Sequence, residues 1–227
     1  MSGAATRPNT LDMVLVHRAF RREFRLLPQV VRSVAPNDIA HAQRVAAHYD
    51  ELAEMLEHHH QGEDDLVWPK LLERSQPDEN LVSRMQVQHQ SVSTLLETSG
   101  EMLARWRGTA DPTTGSEWAK TLGHLSEVLD DHLADEEQSI LPLIERHLTV
   151  QEWREVGETG LAVVPKNRLL VLLGALFEDA APAEQAQFLR DYVPLPGRIL
   201  YTLVGRRQHL RETSAVRAGI TPGQSQQ

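Results

Sequence analysis

The sequence predicts an all-α protein, an up-down-up-down four-helix bundle followed by a C-terminal helical extension. Three features of the chain favour this fold class. Apolar side chains recur at alternating spacings of three and four over residues 10–148, which is the period of an amphipathic helix. The stretches that break this pattern are short, so successive helices should lie antiparallel. Asn-Gly and Asp-Gly turns between alternating apolar runs are missing from the sequence, which argues against β-hairpins.

Helix breakers divide the chain into its predicted elements. Segments 35–38 (APND), 75–78 (SQPD) and 108–115 (GTADPTTG) separate four long helices, and Thr149 with Glu152 forms a capping-box spacing that starts a new one. Shorter helices are predicted over 153–160, 166–177, 182–192 and 198–213. We therefore expect a bundle domain at 1–148, an extension at 149–220 that packs on the bundle or on a partner, and a disordered end at 221–227.

Polar residues interrupt the apolar seam of each bundle helix at similar heights. In the second helix, the seam through Leu52 and Leu56 continues as a His followed four residues later by a Glu, and the fourth helix does the same after Leu129. At 1.5 Å per residue, all the interrupting side chains should fall in one slab of the bundle. These residues are His17, His59, Glu63, His89, His132 and Glu136.

The interruptions also form an internal repeat. The pattern His-x41-His-x3-Glu-x5-Pro, which ends at Pro69, is followed by His-x42-His-x3-Glu-x5-Pro, which ends at Pro142. Each half of the bundle therefore contributes one helical hairpin with the same set of polar residues. We expect the two prolines to kink or interrupt the second and fourth helices, because proline lacks a backbone N–H.

Buried His and Glu side chains are costly unless they are paired or bound to metal. Imidazole and carboxylate ligands without thiolate suit iron, manganese or zinc. Four His and two Glu in one core therefore predict a dinuclear site in which the carboxylates are shared between two ions about 3.5–4 Å apart. Iron is the first choice, and zinc and manganese remain open.

The spacing of these six residues and the two prolines resembles that of the hemerythrin-like HHE cation-binding family over about residues 10–148. The similarity lies in a lone His before each His-x3-Glu and in a Leu or aromatic residue followed by Pro after it. It implies a four-helix bundle with a non-heme pair of iron ions, bridged by carboxylates and by an oxo or hydroxo group. It also implies a small-molecule ligand: O2, NO or hydrogen peroxide.

The chain departs from the oxygen-carrying members that it resembles. Those proteins have a second His four residues after the ligand of the third helix, where this chain has Ser93, and an Asp where it has Glu136. The resemblance therefore favours the bacterial hemerythrin-like proteins of peroxide, NO or oxygen responses. With four His for two ions, we expect open coordination positions on both.

Other polar residues near the motifs have simpler expected roles. His58 and His60 flank His59 but lie off the seam, so we expect them to be solvated, although either could replace it if the register is wrong. His41, His48 and His124 are predicted at the surface, and Tyr49 in core packing. Asp64 and Glu137, which follow the ligand carboxylates, should point away from the centre. We expect plain polar residues, with outer partners of the metal ligands as the alternative.

Composition excludes several classes of function. The chain has 227 residues and no Cys, so thiolate metal sites and disulfides are excluded. Its net charge of -9 argues against a general nucleic-acid binder. We find neither a secretory leader nor an apolar stretch of about 20 residues, and expect a soluble cytoplasmic protein.

Three functions remain open from the sequence. The leading one is a di-iron protein that binds or reacts with a small oxidant, as an enzyme or as a sensor. The others are iron storage or delivery, and a metal-stabilised helical module without catalysis. In the extension, five Arg and one acidic residue over 194–219 favour docking on the acidic bundle, with a dimer, partner or membrane contact as the alternative.

Overall fold

The computed structural model describes residues 7–75 and 79–220, and every regular element in those residues is helical. The predicted all-α fold class is confirmed. The predicted disordered segment 221–227 lies outside the described residues. The helices are α1 (Leu11–Ser33), α2 (Ile39–Leu66), α3 (Trp68–Ser75), α4 (Glu79–Trp106), α5 (Pro112–Ser139), α6 (Leu141–His147), α7 (Val150–Ala162), α8 (Leu169–Phe177), α9 (Pro182–Tyr192), α10 (Leu195–Leu200) and α11 (Arg206–Val216).

Helices α1, α2, α4 and α5 form the bundle. Helix α1 packs against α5 and α2, and α4 packs against the same two helices. Local chemistry fixes where two of them begin, since Asp38 accepts a hydrogen bond from the backbone N–H of His41, and Asp111 accepts one from Thr114. No helix in the described part of the chain is both long enough and apolar enough to cross a bilayer.

The repeated prolines interrupt two helices, as the sequence predicts. Helix α2 ends at Leu66 and α3 begins at Trp68, while α5 ends at Ser139 and α6 begins at Leu141. The intervening residues, Val67 and Ile140, keep helical dihedral angles, so each break is a kink and not a loop. Each kink follows a ligand candidate, Glu63 or Glu136, by about one turn.

Two apolar clusters enclose the slab of polar residues. One contains Trp106, Trp118 and Tyr49, whose ring lies 5.5 Å from that of Trp118 and whose hydroxyl donates to the carbonyl of Leu96. The packing role predicted for Tyr49 is therefore confirmed. The other cluster contains Trp68, Ile140 and Trp153, so that α7 closes this end of the bundle.

The extension lies along α1 and α2. Leu176 and Phe177 of α8 pack against Leu15 and Ala19 of α1. Helix α11 crosses α8 closely at Gly174, where an added Cβ would lie 2.4 Å from the Cβ of His209. All of these contacts are made within one chain. The division into a bundle domain that ends at residue 148 and a separate extension stays a prediction.

A group of charged side chains, centred on the buried Glu23, joins the extension to the bundle. Arg217 donates to Glu23 of α1 and to Glu178, with both distances 2.6 Å, and Glu178 also contacts His209 at 3.0 Å. Glu23 in turn lies 3.1 Å from His48. Burial alone would raise the pKa of Glu23, but His48 and the two neighbouring arginines hold it well below its usual range.

Two histidines expected at the surface are covered by this docking. His41 is buried, and its Nε2 lies 2.9 Å from the carbonyl of Val216, at the end of α11. His48 is only partly exposed beside Glu23. The surface prediction was wrong for both because the bundle alone leaves these positions outside the core. His124 is exposed, as predicted.

Replacing Arg217 by Ala should destabilise the protein by about 1.5–3 kcal/mol, the usual worth of a hydrogen bond to a charged group. The variant leaves Glu23, which is 3% exposed, with one cation fewer. Chemical denaturation measures the change. The exposed Arg207 on α11 provides a matched control, and Arg207→Ala should shift the unfolding free energy by no more than about 0.5 kcal/mol. Equal effects for both variants would contradict the assigned contacts.

Stability should fall as the solution is acidified through the titration of Glu178. Burial opposes its ionisation, but His209 and Arg217 outweigh that effect and hold the pKa of Glu178 at about 2, against an ordinary 4.5. Because the folded-state pKa is lowered, this contribution is complete above about pH 5 and disappears as the pH falls towards 2. Glu178→Gln should flatten the pH dependence of the unfolding free energy in that window, whereas exposed Glu127→Gln should not.

Candidate metal centre

Seven side chains converge in the slab between the two apolar clusters. One group comprises His17, His59, Glu63 and Glu136, and a second comprises His60, His89 and His132. Within each group, the candidate ligand atoms all lie within 4.8 Å of one another. The structure thus brings together all six residues predicted from the sequence and adds His60.

His60 was wrongly expected to be solvated. It is 6% exposed, and its ring stacks on that of His89 with 4.1 Å between centroids, while His58 points to solvent. Neighbouring residues on a helix point about 100° apart, so His59 and His60 reach different groups in the same core. The sequence contained a signal for this role, because His60 lies three residues before Glu63 and shares its helix face.

The polar atoms at the centre lack hydrogen-bond partners. The Nε2 atoms of all five histidines, and both carboxylate oxygens of Glu63 and Glu136, are buried without a partner. Buried polar groups are nearly always paired, so nine such atoms facing one another require a common partner. A metal cation meets that requirement, because each of these atoms is a typical metal ligand.

The distances between these atoms agree with shared ions. Nε2 of His59 lies 3.2 Å from one oxygen of Glu63, and Nε2 of His89 lies 3.3 Å from its other oxygen. Two ligands held at about 2.1 Å from one ion are roughly 3 Å apart. The Glu63 carboxylate therefore faces both groups, with one oxygen towards each.

Glu136 also faces both groups, but through a single oxygen. Its Oε2 atom lies 3.4 Å from Nε2 of His17 in the first group and 3.9 Å from Nε2 of His132 in the second. Two carboxylates that each face both groups are suited to bridging a pair of ions, as the sequence predicts. The structure thereby divides the seven side chains into two unequal sets, with two imidazoles in one and three in the other.

Outer hydrogen bonds orient three of the imidazoles. Nδ1 of His17 lies 3.0 Å from Glu137, Nδ1 of His89 lies 3.0 Å from Asp64, and Nδ1 of His132 lies 3.1 Å from Gln88. Each contact suits an Nδ1–H donor and directs the Nε2 lone pair towards the centre. The favoured expectation that Asp64 and Glu137 are plain polar residues was wrong, because it assumed that neighbours of a ligand point away from the site. The alternative role as outer partners of the ligands describes both residues.

Burial sets the ionisation of the site. Desolvation lowers the pKa of His59 and His60 well below the ordinary value and lowers that of His132 to about 3, so these imidazoles are neutral with free lone pairs. Desolvation raises the pKa of Glu63, and desolvation together with the charge of Glu63 raises that of Glu136 to about 8. A bound cation would reverse the effect on the carboxyl groups by displacing their protons.

The unequal sets change one expectation from the sequence. Four histidines for two ions would leave open positions on both, but His60 supplies a third imidazole to the second group. With both carboxylates shared, the second group offers five donors and the first offers four. Ser93, at the position of the ligand missing relative to oxygen-carrying hemerythrins, is partly buried and belongs to neither group.

The fold and this cluster define a helical-bundle protein whose residues fit a cation. The family model for the hemerythrin HHE cation binding domain matches residues 11–144. The chain therefore belongs to the hemerythrin HHE family, a family of metal-binding domains, which confirms the resemblance drawn from the sequence.

A search of curated proteins adds a distant relative. The chain is 22% identical to zinc finger protein BRUTUS of Arabidopsis thaliana over 205 residues, which cover 88% of this chain and 16% of that protein. The chain thus spans about a sixth of the length of this relative. No solved structure matches the chain significantly.

Substituting His60 tests the ligand set. His60→Ala should lower the metal content and weaken binding at the second group by about 10-fold or more, since even outer partners of metal ligands are worth about 10–100-fold in affinity. The metal content per chain, measured by elemental mass spectrometry after dialysis against graded chelator, reports the loss. His58→Ala changes the adjacent exposed residue and should leave the content unchanged. Equal content in the parent and the His60 variant would remove His60 from the site.

Proposed function

We propose that this protein holds two iron ions between its two groups of side chains and uses them to react with a small oxidant: O2, NO or hydrogen peroxide. The observation that carries the proposal is the unequal donor set, five on one side and four on the other, around two carboxylates that face both. When bound, the iron pair would supply one or two electrons to the oxidant. The chain's own residues hold the pair, exclude bulk water and admit the small molecule.

The number and type of donors favour iron. Structural zinc sites are almost always four-coordinate, and many include thiolate, which this chain lacks. Three imidazoles with two carboxylates exceed four donors, whereas non-heme iron accepts mixed nitrogen and oxygen ligands in larger numbers. The first group, with four donors, would leave room for an added oxygen ligand.

Burial supports a small substrate. His17, Glu63 and Glu136 have side chains exposed by at most 1%, whereas the side chain of His59 is 12% exposed. His59 belongs to the group with fewer donors. A diatomic molecule or peroxide would therefore enter beside His59 and arrive where a coordination position is free, while larger substrates would be excluded.

A metal-stabilised interaction module is the second candidate. Helices α10 and α11, with the π-helical segment Tyr201–Gly205 that joins them, expose several large apolar side chains that a binding partner could cover. They are Leu195, Ile199, Leu200, Leu203, Val204 and Leu210. In this case the ions would stabilise the bundle without turnover. Reversible iron storage or delivery is less well supported, because the site is deeply enclosed.

Iron loading followed by exposure to oxidant separates these functions. The parent protein should hold about two iron ions per chain, develop an absorption band in air and consume peroxide with a supplied reductant. His59→Ala should lower the peroxide consumption rate by about 10-fold or more, because it removes a ligand at the entry side. His58→Ala is the matched control and should retain the parent rate.

The outcomes differ for each candidate. A colourless protein that retains zinc in place of iron would contradict the redox function and favour the interaction module. An iron-loaded protein that neither changes colour with oxidant nor consumes it would do the same. Rapid loss of iron to a mild chelator, with no reaction towards oxidant, would favour storage or delivery.

A further inference from the structure

A single carboxylate oxygen joins a buried tryptophan to a ligand candidate. Oδ1 of Asp64 accepts a hydrogen bond from the indole N–H of Trp68 at 2.7 Å and lies 3.0 Å from Nδ1 of His89. The indole ring itself lies 6.0 Å from the His89 ring, centroid to centroid. Trp68 is 1% exposed. An oxidisable ring is therefore hydrogen-bonded to the metal centre through two side chains.

The outer partners of the three oriented imidazoles differ in the side chain to which each is hydrogen-bonded in turn. Glu137, the partner of His17, is held by Arg21 at 2.6 Å, and Gln88, the partner of His132, donates to Asp135 at 3.2 Å. Neither arginine nor aspartate gives up an electron readily. The relay from His89 differs from both because it ends on indole, the side chain with the most easily removed electron among the groups named here.

The internal repeat has a smaller apolar side chain at the position equivalent to Trp68. With the offset of 73 residues that relates the two ligand pairs, Asp64 corresponds to Glu137, and both accept from a ligand imidazole. Trp68 corresponds to Leu141, which is buried in the same apolar cluster. A leucine fills the equivalent place after the other kink, so the repeat itself gives no reason for a tryptophan at residue 68.

We propose that Trp68 is an electron-donating residue, whose indole gives one electron to the metal centre through Asp64 and His89 during peroxide reduction. This inference rests on the proposed iron and peroxide chemistry. Reducing one hydrogen peroxide to two waters takes two electrons and two protons. One of these electrons would come from a half-reduced iron pair and the second from Trp68, and solvent would supply both protons.

The surroundings favour this loss of an electron. The indole is left as a cation radical, and the carboxylate of Asp64 lies 2.7 Å from its N–H, where opposite charges attract. Phe20 also contacts a ligand imidazole, with 5.5 Å between its ring and that of His59. A phenyl ring is much harder to oxidise than an indole, so Phe20 offers no equivalent source of electrons.

The experiment is electron paramagnetic resonance on the half-reduced, iron-loaded protein, frozen shortly after one equivalent of hydrogen peroxide is added. The parent should give an organic radical whose hyperfine pattern changes when its tryptophans carry ring deuterium. Trp68→Phe should abolish that signal while keeping its iron. Trp118→Phe is the matched control, since Trp118 is equally buried but donates to the hydroxyl of Ser99, and it should keep the signal.

Asp64→Asn provides a second variant if Trp68→Phe folds poorly. It keeps an acceptor for the indole N–H but removes the negative charge, so the radical yield should fall several-fold. Iron content and peroxide consumption are measured on the same samples. A parent that consumes peroxide but gives no radical, or gives one that survives in Trp68→Phe, overturns this inference alone. A parent that holds no iron or leaves peroxide intact overturns the proposed function as well.

Discussion

The burial of unpartnered ligand atoms at mid-height in the bundle is the constraint on which the rest of the structure depends. Five imidazole nitrogens and four carboxylate oxygens face one another without protein partners. Such a cluster is tolerable only if a cation occupies it or protons neutralise it. The apolar clusters above and below hold these atoms in place, and the outer hydrogen bonds of Asp64, Gln88 and Glu137 fix the direction of the rings. The bundle thus acts as a rigid frame for a polar centre that cannot stabilise itself.

Helical periodicity explains why most of the centre could be predicted. The seams on α1, α2, α4 and α5 each place a His or Glu where Leu is expected, and the repeat fixes their heights relative to one another. Periodicity on one helix describes only the face of that helix. It cannot show that the neighbouring helices leave space for His60, or that Asp64 on α2 contacts His89 on α4, since both depend on how α2 and α4 are oriented towards each other.

The extension shows the same limit at a larger scale. His41 and His48 lie on the outer face of α2 and would be solvated in an isolated bundle. They are covered because α11 lies across that face, and no local pattern in α2 records this. The apolar run of α8 does predict burial, but the sequence does not specify which surface receives it. Long-range pairing of this kind is set by shape and charge over the whole chain.

The two halves of the bundle show how a duplicated pattern can be used asymmetrically. Both contribute a His-x3-Glu pair, an outer carboxylate and a proline kink. One half adds His60 to the second group, and its Asp64 accepts a hydrogen bond from Trp68. In the other half, Leu141 takes the place of Trp68, and the outer carboxylate accepts from Arg21. These few differences separate a group with two imidazoles from a group with three. The repeat gives the two halves the same architecture, and the few residues that differ between the halves make the two ligand groups unequal.

The pair formed by Glu23 and Arg217 has a consequence for the order of folding. The two residues are 194 positions apart in the chain, yet Glu23 lies in the first helix and is almost fully buried. During synthesis, α1 can pack against α2 and α5 long before its carboxylate acquires this cation. Contacts of such large sequence separation form late, because the closure of a long loop must come first. The bundle should therefore pass through a stage in which the face of α1 and α2 that contains Glu23 is open, and chaperones or proteases would find it there until the last helix arrives.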